Sequence, residues 1–445
     1  MMGRREEALR YFDASRDFME DTVRENIERY RKGNATLTVT DGEGKPLCDA
    51  LVSLKLKNHE FRHGANIFML EELETAEKNE AYKRAFPEVC NLATIPFYWS
   101  DLEPKEGRPR FEKGSPRIYR RPPTDLCLEY CLENGIEPKC HCLNYDNFLP
   151  EWLLGADVDT HKRALAKRFR ELAERYGDKI PSWEVTNETL DSYTPTRQRS
   201  RFFHEEDFVE WSFRMADRYF PDNRLIINDY RVFDESFCDN RSMYYLQIER
   251  LLSGDRVHLD SIGMQFHSFF PKEQEGRMAF YRYRPEFLYL VLDQYAKLGK
   301  RLQITEMTIP AYSDSAEDEA IQAELLKQLY TVFFSHPAME AVIYWNLVDG
   351  YAAFAPMGDM TAGENVYHGG LLRFDLTPKP AFAVIRDLFR KKWHTEFESK
   401  TDASGALAFR GFYGDYEITV SHGEKTETKT VRFSAKGGTE LKITL

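Results

Sequence analysis

Six short segments of this 445-residue chain end in groups that could do chemistry. PKCHCLNY carries His141 and Asn144 and runs on through Tyr145 to Asp146, and PSWEVTNE ends in Asn187 and Glu188. RLIINDY ends in Asn228, Asp229 and Tyr230, and SIGMQFH ends in Gln265, Phe266 and His267. RLQITEM holds Thr305 and Glu306, and AVIYWNL holds Trp345 and Asn346. Taken singly, each is an ordinary satisfied surface group; a barrel that only had to be stable would not need six such ends. Glu188 and Glu306 are carboxylates on separate segments, and such a pair can divide acid and nucleophile work. Held about 5–5.5 Å apart, one protonated and one ionised, two carboxyls cleave a glycosidic bond with retention. Asn187 is placed to donate to a sugar 2-hydroxyl. His267 could hydrogen-bond Glu306 and hold it ionised and aimed; the plain alternative is a core histidine. This chemistry needs two carboxylates and water, so no metal or organic cofactor is implied.

These residues need a frame that gathers strand ends. From His59 onward, strand-like and helix-like patterns alternate, which signals a parallel sheet. Eight strand candidates follow: FRHGANIF, NLATIPFYW, PKCHCLNY, PSWEVTNE, RLIINDY, SIGMQFH, RLQITEM and AVIYWNL. Helical stretches such as THKRALAKRFRELAERY and DEAIQAELLKQLYTVFF lie between them, and PKPAFAVIRDLFRKKW closes the series. Eight strands with helical returns give an α/β class (β/α)8 TIM barrel over 59–394, whose chemistry gathers at the C-terminal strand ends. Both chain ends fall outside it. Residues 5–32 read as one amphipathic helix (segment 1–33), and 35–57 read as strand, turn, strand, the opening hairpin of a sandwich. The tail from 397 alternates throughout, with breaks at Gly, Asp and Ser, so it is all-β. About 50 residues are few for a stable sandwich of their own. Residues 34–58 therefore complete it with 395–445, and the barrel is inserted between the two pieces.

Composition narrows the functions. An apolar share of 42% supports a sizeable core, and an aromatic share of 14% suits core packing first and sugar faces second. The net charge of −12 argues against a nucleic-acid groove or an anionic membrane surface as partner. No run of 18 apolar residues occurs, and the start MMGRREEALRYFD lacks a signal-peptide core. The expectation is a cytoplasmic protein, or a secreted one whose signal was removed. The seven cysteines are odd in number and form no paired CxxC, which argues against a disulfide framework or a zinc site. Cys127 and Cys131, four apart in a helical pattern, should face one core.

The segments WEVTNE, IINDY, GMQFH, ITEM and YWNLVD, in this order, resemble the motifs of glycoside hydrolase family 10, best known for endo-β-1,4-xylanases. EPKEG after Trp99 and HCLNYDNFLPEW extend the resemblance over about residues 59–393. It implies Glu188 as acid/base, Glu306 as nucleophile and a β-linked carbohydrate, xylan or xylo-oligosaccharide, as substrate. Asn187, Gln265, His267, His141, Trp345, Tyr145, Asp146, Trp152, Tyr98, Trp99 and Tyr230 are then the candidate substrate contacts. The departures bear on specificity. Where the family carries Glu, Asn and Lys after its second strand, this chain has Thr94, Ile95 and Tyr98. Its strand-three Trp-His reads Tyr145-Asp146, the Gly after the last strand's Trp is Asn346, and only Tyr351 and Phe354 lie near a second family Trp. The glycone end should therefore differ from that of an ordinary xylanase, with aromatic faces at Tyr98, Trp99, Tyr145 and Trp152 in place of lost polar grips. A β-glycosidase for other β-glycosides, and a carbohydrate-binding barrel without turnover, are the alternatives. The tail and the 35–57 piece resemble a prealbumin-like or carboxypeptidase-regulatory-like sandwich cut in two.

Overall fold

A computed structural model describes residues 3–190, 200–234, 241–254 and 257–445. Cys238 lies outside the described residues. The other six cysteines are free thiols, with Cys127 and Cys131 buried together on the helix Thr124–Glu133. After the N-terminal helical region come β1 (Lys32–Thr40) and β2 (Leu51–His59). The next eight strands are β3 (Arg62–Asn66), β4 (Leu92–Pro96), β5 (Glu137–His141), β6 (Ser182–Asn187), β7 (Arg224–Asp229), β8 (Ser261–His267), β9 (Arg301–Thr308) and β10 (Met339–Tyr344). They close a parallel barrel in the order β10-β3-β4-β5-β6-β7-β8-β9. β4 and β6 are buried along their whole length, as a strand must be with side chains inside the barrel on one face and helices on the other. The helices follow the expected periodicity. Val158–Tyr176 turns Leu165, Phe169, Leu172 and Tyr176 inward and is capped by Asp157, which accepts from the Thr160 backbone N–H at 2.7 Å. No described helix is long and apolar enough to cross a membrane.

Two local expectations change. The N-terminal segment is not one even helix. Arg4–Ala14 ends at Ser15, and a wide π turn at Met19–Arg24 precedes Glu25–Tyr30. The wide turn re-phases the helix, and Val23 and Ile27 are buried past it. Arg4 pins the start to the barrel, reaching Glu275 and Asp318 at 2.7 Å each. The second change is at 35–57, where β1 and β2 do not pair as a hairpin. They belong to different sheets, because the ten-residue connection 41–50 carries the chain from one to the other.

Those sheets are shared between the chain ends. The tail supplies β11 (Glu396–Lys400), β12 (Ala406–Phe412), β13 (Gly414–His422), β14 (Lys425–Phe433) and β15 (Glu440–Thr444). β1 lies between β12, antiparallel, and β15, parallel. β2 lies between β11 and β13, both antiparallel, and β14 pairs with β13. Leu37 and Val39 of β1 and Val52 and Leu54 of β2 are fully buried with Tyr416, Ile418 and Val420 of β13. Neither end of the chain holds all the strands of either sheet.

The sandwich meets the barrel at the strand starts, the end opposite the C-terminal rim. Asn91, just before β4, donates to Asn58 Oδ1 at 2.9 Å and to the carbonyls of His59 and Phe61 at 3.2 Å each. Arg31 is buried and donates to the carbonyls of Phe334, His336 and Met339 just before or at the start of β10. Around them, Phe334 stacks on Trp393 at 4.0 Å and His63 on Phe389 at 3.6 Å. His59 of β2 meets Phe334 and Phe389 edge-on at 6.0 and 5.5 Å, and Phe412 of β12 lies 6.2 Å from Phe334, so rings of the sandwich pack against rings of the barrel.

Candidate active site

At the other end of the barrel lies a cleft of 670 Å³. Every strand contributes to it. Phe68 follows β3, Tyr98 follows β4, and His141 ends β5 with Tyr145 just beyond. Asn187 and Glu188 come from β6, Tyr230 from β7, Gln265 and His267 from β8, Glu306 from β9 and Trp345 from β10. Ten of the thirteen candidates read from the sequence line this one space.

Glu306 sits deep, at 4% exposure. Asn228 Nδ2 donates to its Oε1 at 2.9 Å, and His267 Nε2 is 3.1 Å from its Oε2. His267 Nδ1 is 3.0 Å from the Thr308 hydroxyl. Burial pushes His267 down to about 4, so the ring is neutral near pH 7. With the Thr308 hydroxyl donating to Nδ1, the single ring N–H lies on Nε2 and points at Glu306. Asn228 is committed on all sides: its amide also donates to Asn187 Oδ1 at 2.8 Å, and its Oδ1 accepts from Thr305 Oγ1. This requires Gly263, since a Cβ there would stand 2.7 Å from Asn228 Oδ1. Even with two donors, burial pushes Glu306 up to about 8, opposed by His141 and Lys139 and reinforced by Glu184 and Glu188. His267 therefore stands against Glu306 as a donor, while desolvation outweighs its hold on the ionised form.

Glu188 lies nearer the opening, half-buried, with a left-handed backbone of φ 51°. Such a conformation is costly for a non-glycine residue and must be held by its surroundings. Here Glu188 N–H donates to Asn228 O at 3.1 Å, and buried Asp229 accepts from Thr189 Oγ1 and Leu190 N–H, each at 3.1 Å. The Tyr145 hydroxyl donates to Glu188 Oε2, and Gln265 Nε2 donates to Oε1 at 3.2 Å. Asn187 Oδ1 accepts from Asn228 and, at 3.4 Å, from Gln265. The Asn187 NH₂ makes no hydrogen bond among the described residues, which leaves it for a ligand.

Around the carboxylates stands an aromatic wall. Trp345 meets Phe68, His141 and His267 edge-on at 5.5–5.8 Å. Tyr98 stacks on Phe148 at 4.0 Å, and its hydroxyl is 3.1 Å from His141 Nε2. The other nitrogen of His141 meets Glu184, which also pairs with Lys139; both Lys139 and Glu184 are wholly buried inside the barrel. Three candidates lie elsewhere. Trp99 donates to Glu103 Oε2 at 2.9 Å and packs on Trp152, which donates to Glu103 O at 2.9 Å. The EPKEG segment thus turns both indoles into struts behind the cleft. Asp146 is buried and accepts from the Ser200 backbone N–H at 2.9 Å and from its hydroxyl. Among the strand-two departures, Thr94 and Ile95 are buried and do not line the cleft.

Sequence reasoning missed three residues. Asn228 stands in IINDY, but Tyr230 beside it was the chosen candidate; the partner it serves is visible only in three dimensions. Arg120 and Arg121 come from the irregular stretch after β4 and line the cleft beside Tyr98. Arg121 holds its guanidinium 4.2 Å over the Tyr98 ring. No periodic pattern marks them, although the Arg-Arg pair itself is plain in the sequence. No group of three His, Cys, Asp or Glu side chains among the described residues is placed to hold a metal ion.

Comparison with known proteins agrees with this geometry. The chain is 25% identical over 412 residues to the anti-sigma-I factor RsgI6 of Acetivibrio thermocellus, covering 90% of this chain and 46% of that protein. It thus spans about half the length of that relative. It is 25% identical over 302 residues to endo-1,4-beta-xylanase B of Thermotoga neapolitana, covering 66% of this chain and 78% of that protein. The crystal structure of native xylanase 10B from Thermotoga maritima superposes with a TM-score of 0.57 at 24% identity, over 75% of this chain and 96% of that one. That likeness is one of fold. The family described as glycosyl hydrolase family 10 matches residues 61–388, from β3 to the last barrel helix, and the chain belongs to that family.

Proposed function

We propose that this chain is a retaining β-glycoside hydrolase of the endo-1,4-β-xylanase type, with Glu306 as nucleophile, Glu188 as acid/base and an altered glycone end. Glu306 attacks the anomeric carbon while Glu188 gives its proton to the departing oxygen; Glu188 then takes a proton from the water that releases the sugar. Asn228 and His267 orient Glu306. Tyr145 and Gln265 orient Glu188. The free NH₂ of Asn187 donates to the 2-hydroxyl of the sugar at the cleavage point. A carboxylate short of solvent gains most when positive charge develops at the anomeric carbon, so the burial of Glu306 favours the transition state over the resting enzyme.

The observation that carries the reading is two carboxylates in one cleft, each with its own donors and with the one beside the NE step nearer the opening. Xylanases among the relatives support the xylo-type backbone. The altered glycone end rests on Thr94 and Ile95, buried away from the cleft, and on Tyr98, whose hydroxyl is taken by His141. The test is the configuration of the first product, read by proton NMR before mutarotation. Release of the β-anomer from a β-xylo-oligosaccharide supports the assignment; release of the α-anomer sinks it.

A further inference from the structure

Five arginines and four carboxylates line the cleft of a chain whose net charge is −12. Two of those carboxylates are Glu188 and Glu306, already committed to the bond being broken. A third, Asp234, holds Arg282 at 2.6 Å. The glycone side has the sharpest imbalance. Arg120 is 3% exposed, yet among the described residues it makes no ion pair. Its hydrogen bonds go to neutral acceptors, the Tyr351 carbonyl and Asn346 Oδ1, and its Nε is buried without a partner. Arg121, 8% exposed, gives Nε to Asp101 and Nη1 to the Arg120 carbonyl, and its Nη2 has no hydrogen-bond partner among the described residues. Asp101 offsets one of these two adjacent guanidinium charges, and the other is left without an ion pair among the described residues, which costs free energy unless a further anion joins it. The fourth cleft carboxylate, Glu364, makes no ion pair with either.

We propose that the glycone half of the cleft recognises a carboxylate on the substrate, a uronic-acid group of a β-linked glycan, through Arg120 and Arg121. This rests on the glycosidase reading above and names its substrate class. The sugar ring lies against the aromatic wall of Phe68, Tyr98 and Trp345, and the carboxylate meets the guanidinium edge that Tyr98 supports from below. Guanidinium groups are suited to carboxylates because their forked N–H donors match both oxygens. The neutral grips implied by the family resemblance are missing at Thr94, Ile95 and Tyr98, and the cationic pair stands beside that vacancy in function. At the other side of the mouth, Arg231 and Arg277 also line the cleft and form no ion pair among the described residues. Arg231 follows β7 and Arg277 follows β8, three and four places from β4 in the eight-strand ring, so the cations flank the reacting pair on both sides.

The carboxylate could belong to a side group or to the glycone sugar itself, and two arms separate these. In the first, the intact chain is given a xylo-oligosaccharide carrying glucuronic acid and its carboxyl-reduced counterpart carrying glucose. In the second, it is given an aryl β-glucuronide and the matching β-glucoside. Each pair differs by one carboxylate. The expected result is at least a tenfold higher kcat/KM for the acidic member in one arm, equivalent to about 1.4 kcal/mol. In Arg121→Gln that ratio falls to within about twofold of unity; misfolding would lower both members and leave the ratio alone. Equal or faster cleavage of the neutral member in both arms overturns the proposal while leaving the glycosidase reading intact. An acid preference that survives in Arg121→Gln overturns the assignment to this pair. Failure to cleave any β-glycoside, neutral or acidic, removes the parent reading as well.

Discussion

The two ends of the barrel are built from the same eight strands and do opposite things. At the strand starts, polar groups are mostly spent within the protein: Asn91 gives its amide to three acceptors and Arg31 to three carbonyls, Arg62 and Arg224 both meet Glu137, and Phe61, Phe334, Phe389 and Trp393 cluster beside them. At the strand ends, polar groups crowd together and some stay unspent. Glu306 is held in a desolvated position, Glu188 in a left-handed backbone, and the Asn187 NH₂ without a partner among the described residues. The difference separates what stabilises the fold from what costs stability for function. Substitutions at one end should move melting temperature, and substitutions at the other should move kcat.

The largest expected effect is at Glu306. Glu306→Gln should lower kcat on the order of 10⁴-fold or more on every substrate, because no other group can form the first bond. Glu188→Ala should cost about 10²–10⁴-fold on natural glycosides and far less on first-step substrates whose leaving group needs no proton. A uniform loss across leaving groups would contradict its role. His267→Ala leaves Glu306 with Asn228 as its one side-chain donor among the described residues, and a 10- to 100-fold fall in kcat/KM is expected, about the equivalent of a hydrogen bond to a charged group. At the opposite end, Trp393→Ala should destabilise by about 3–5 kcal/mol in thermal or denaturant unfolding. Its kcat/KM below the melting range should stay within about twofold of the parent; a kcat loss as large as that of His267→Ala would erase the division between the two ends.

The smallest effect concerns pH. Glu306 is raised in the folded chain to about 8, so between its ordinary value and 8 the folded state holds a proton that the unfolded state has lost. Its contribution to stability therefore falls as pH rises through that window. Glu306→Gln removes this dependence, and its melting temperature relative to the parent should rise from pH 5 to pH 8. The same protonation should draw the acid limb of kcat/KM upward toward neutrality. A limb that levels off near pH 4.5 would show that the Asn228 and His267 donors outweigh burial.

The barrel was legible because its signal is repeated: eight buried runs, each followed by an amphipathic return, leave little freedom in the count. The sheets shared by the chain ends were legible because the tail alternates but is short. The pairing inside them was not, since alternation tells which face of β1 and β2 is buried and not which strand lies beside each. The same limit explains Trp99 and Trp152. In sequence they read as aromatic faces for the substrate, and only the fold shows both indoles turned to Glu103 instead. Asp146 stands among the candidate substrate contacts in sequence, whereas in the fold Ser200, far along the chain, donates to both its oxygens. Arg120 and Arg121 lie in an irregular stretch where no period constrains direction. Their approach to Tyr98 depends on the path of the whole loop. The raised pKa of Glu306 also lay beyond the sequence, because it reflects depth more than neighbours.

The central claim is that Glu306 becomes covalently attached to sugar. The direct measurement is intact and peptide mass spectrometry after incubation with an activated 2-deoxy-2-fluoro-β-glycoside, which slows release of the intermediate more than its formation. The account predicts one added glycosyl mass on the peptide containing Glu306, no adduct in Glu306→Gln, and recovery of activity when an acceptor sugar is added. An adduct on Glu188, or turnover of this substrate with inversion and no adduct, would contradict it.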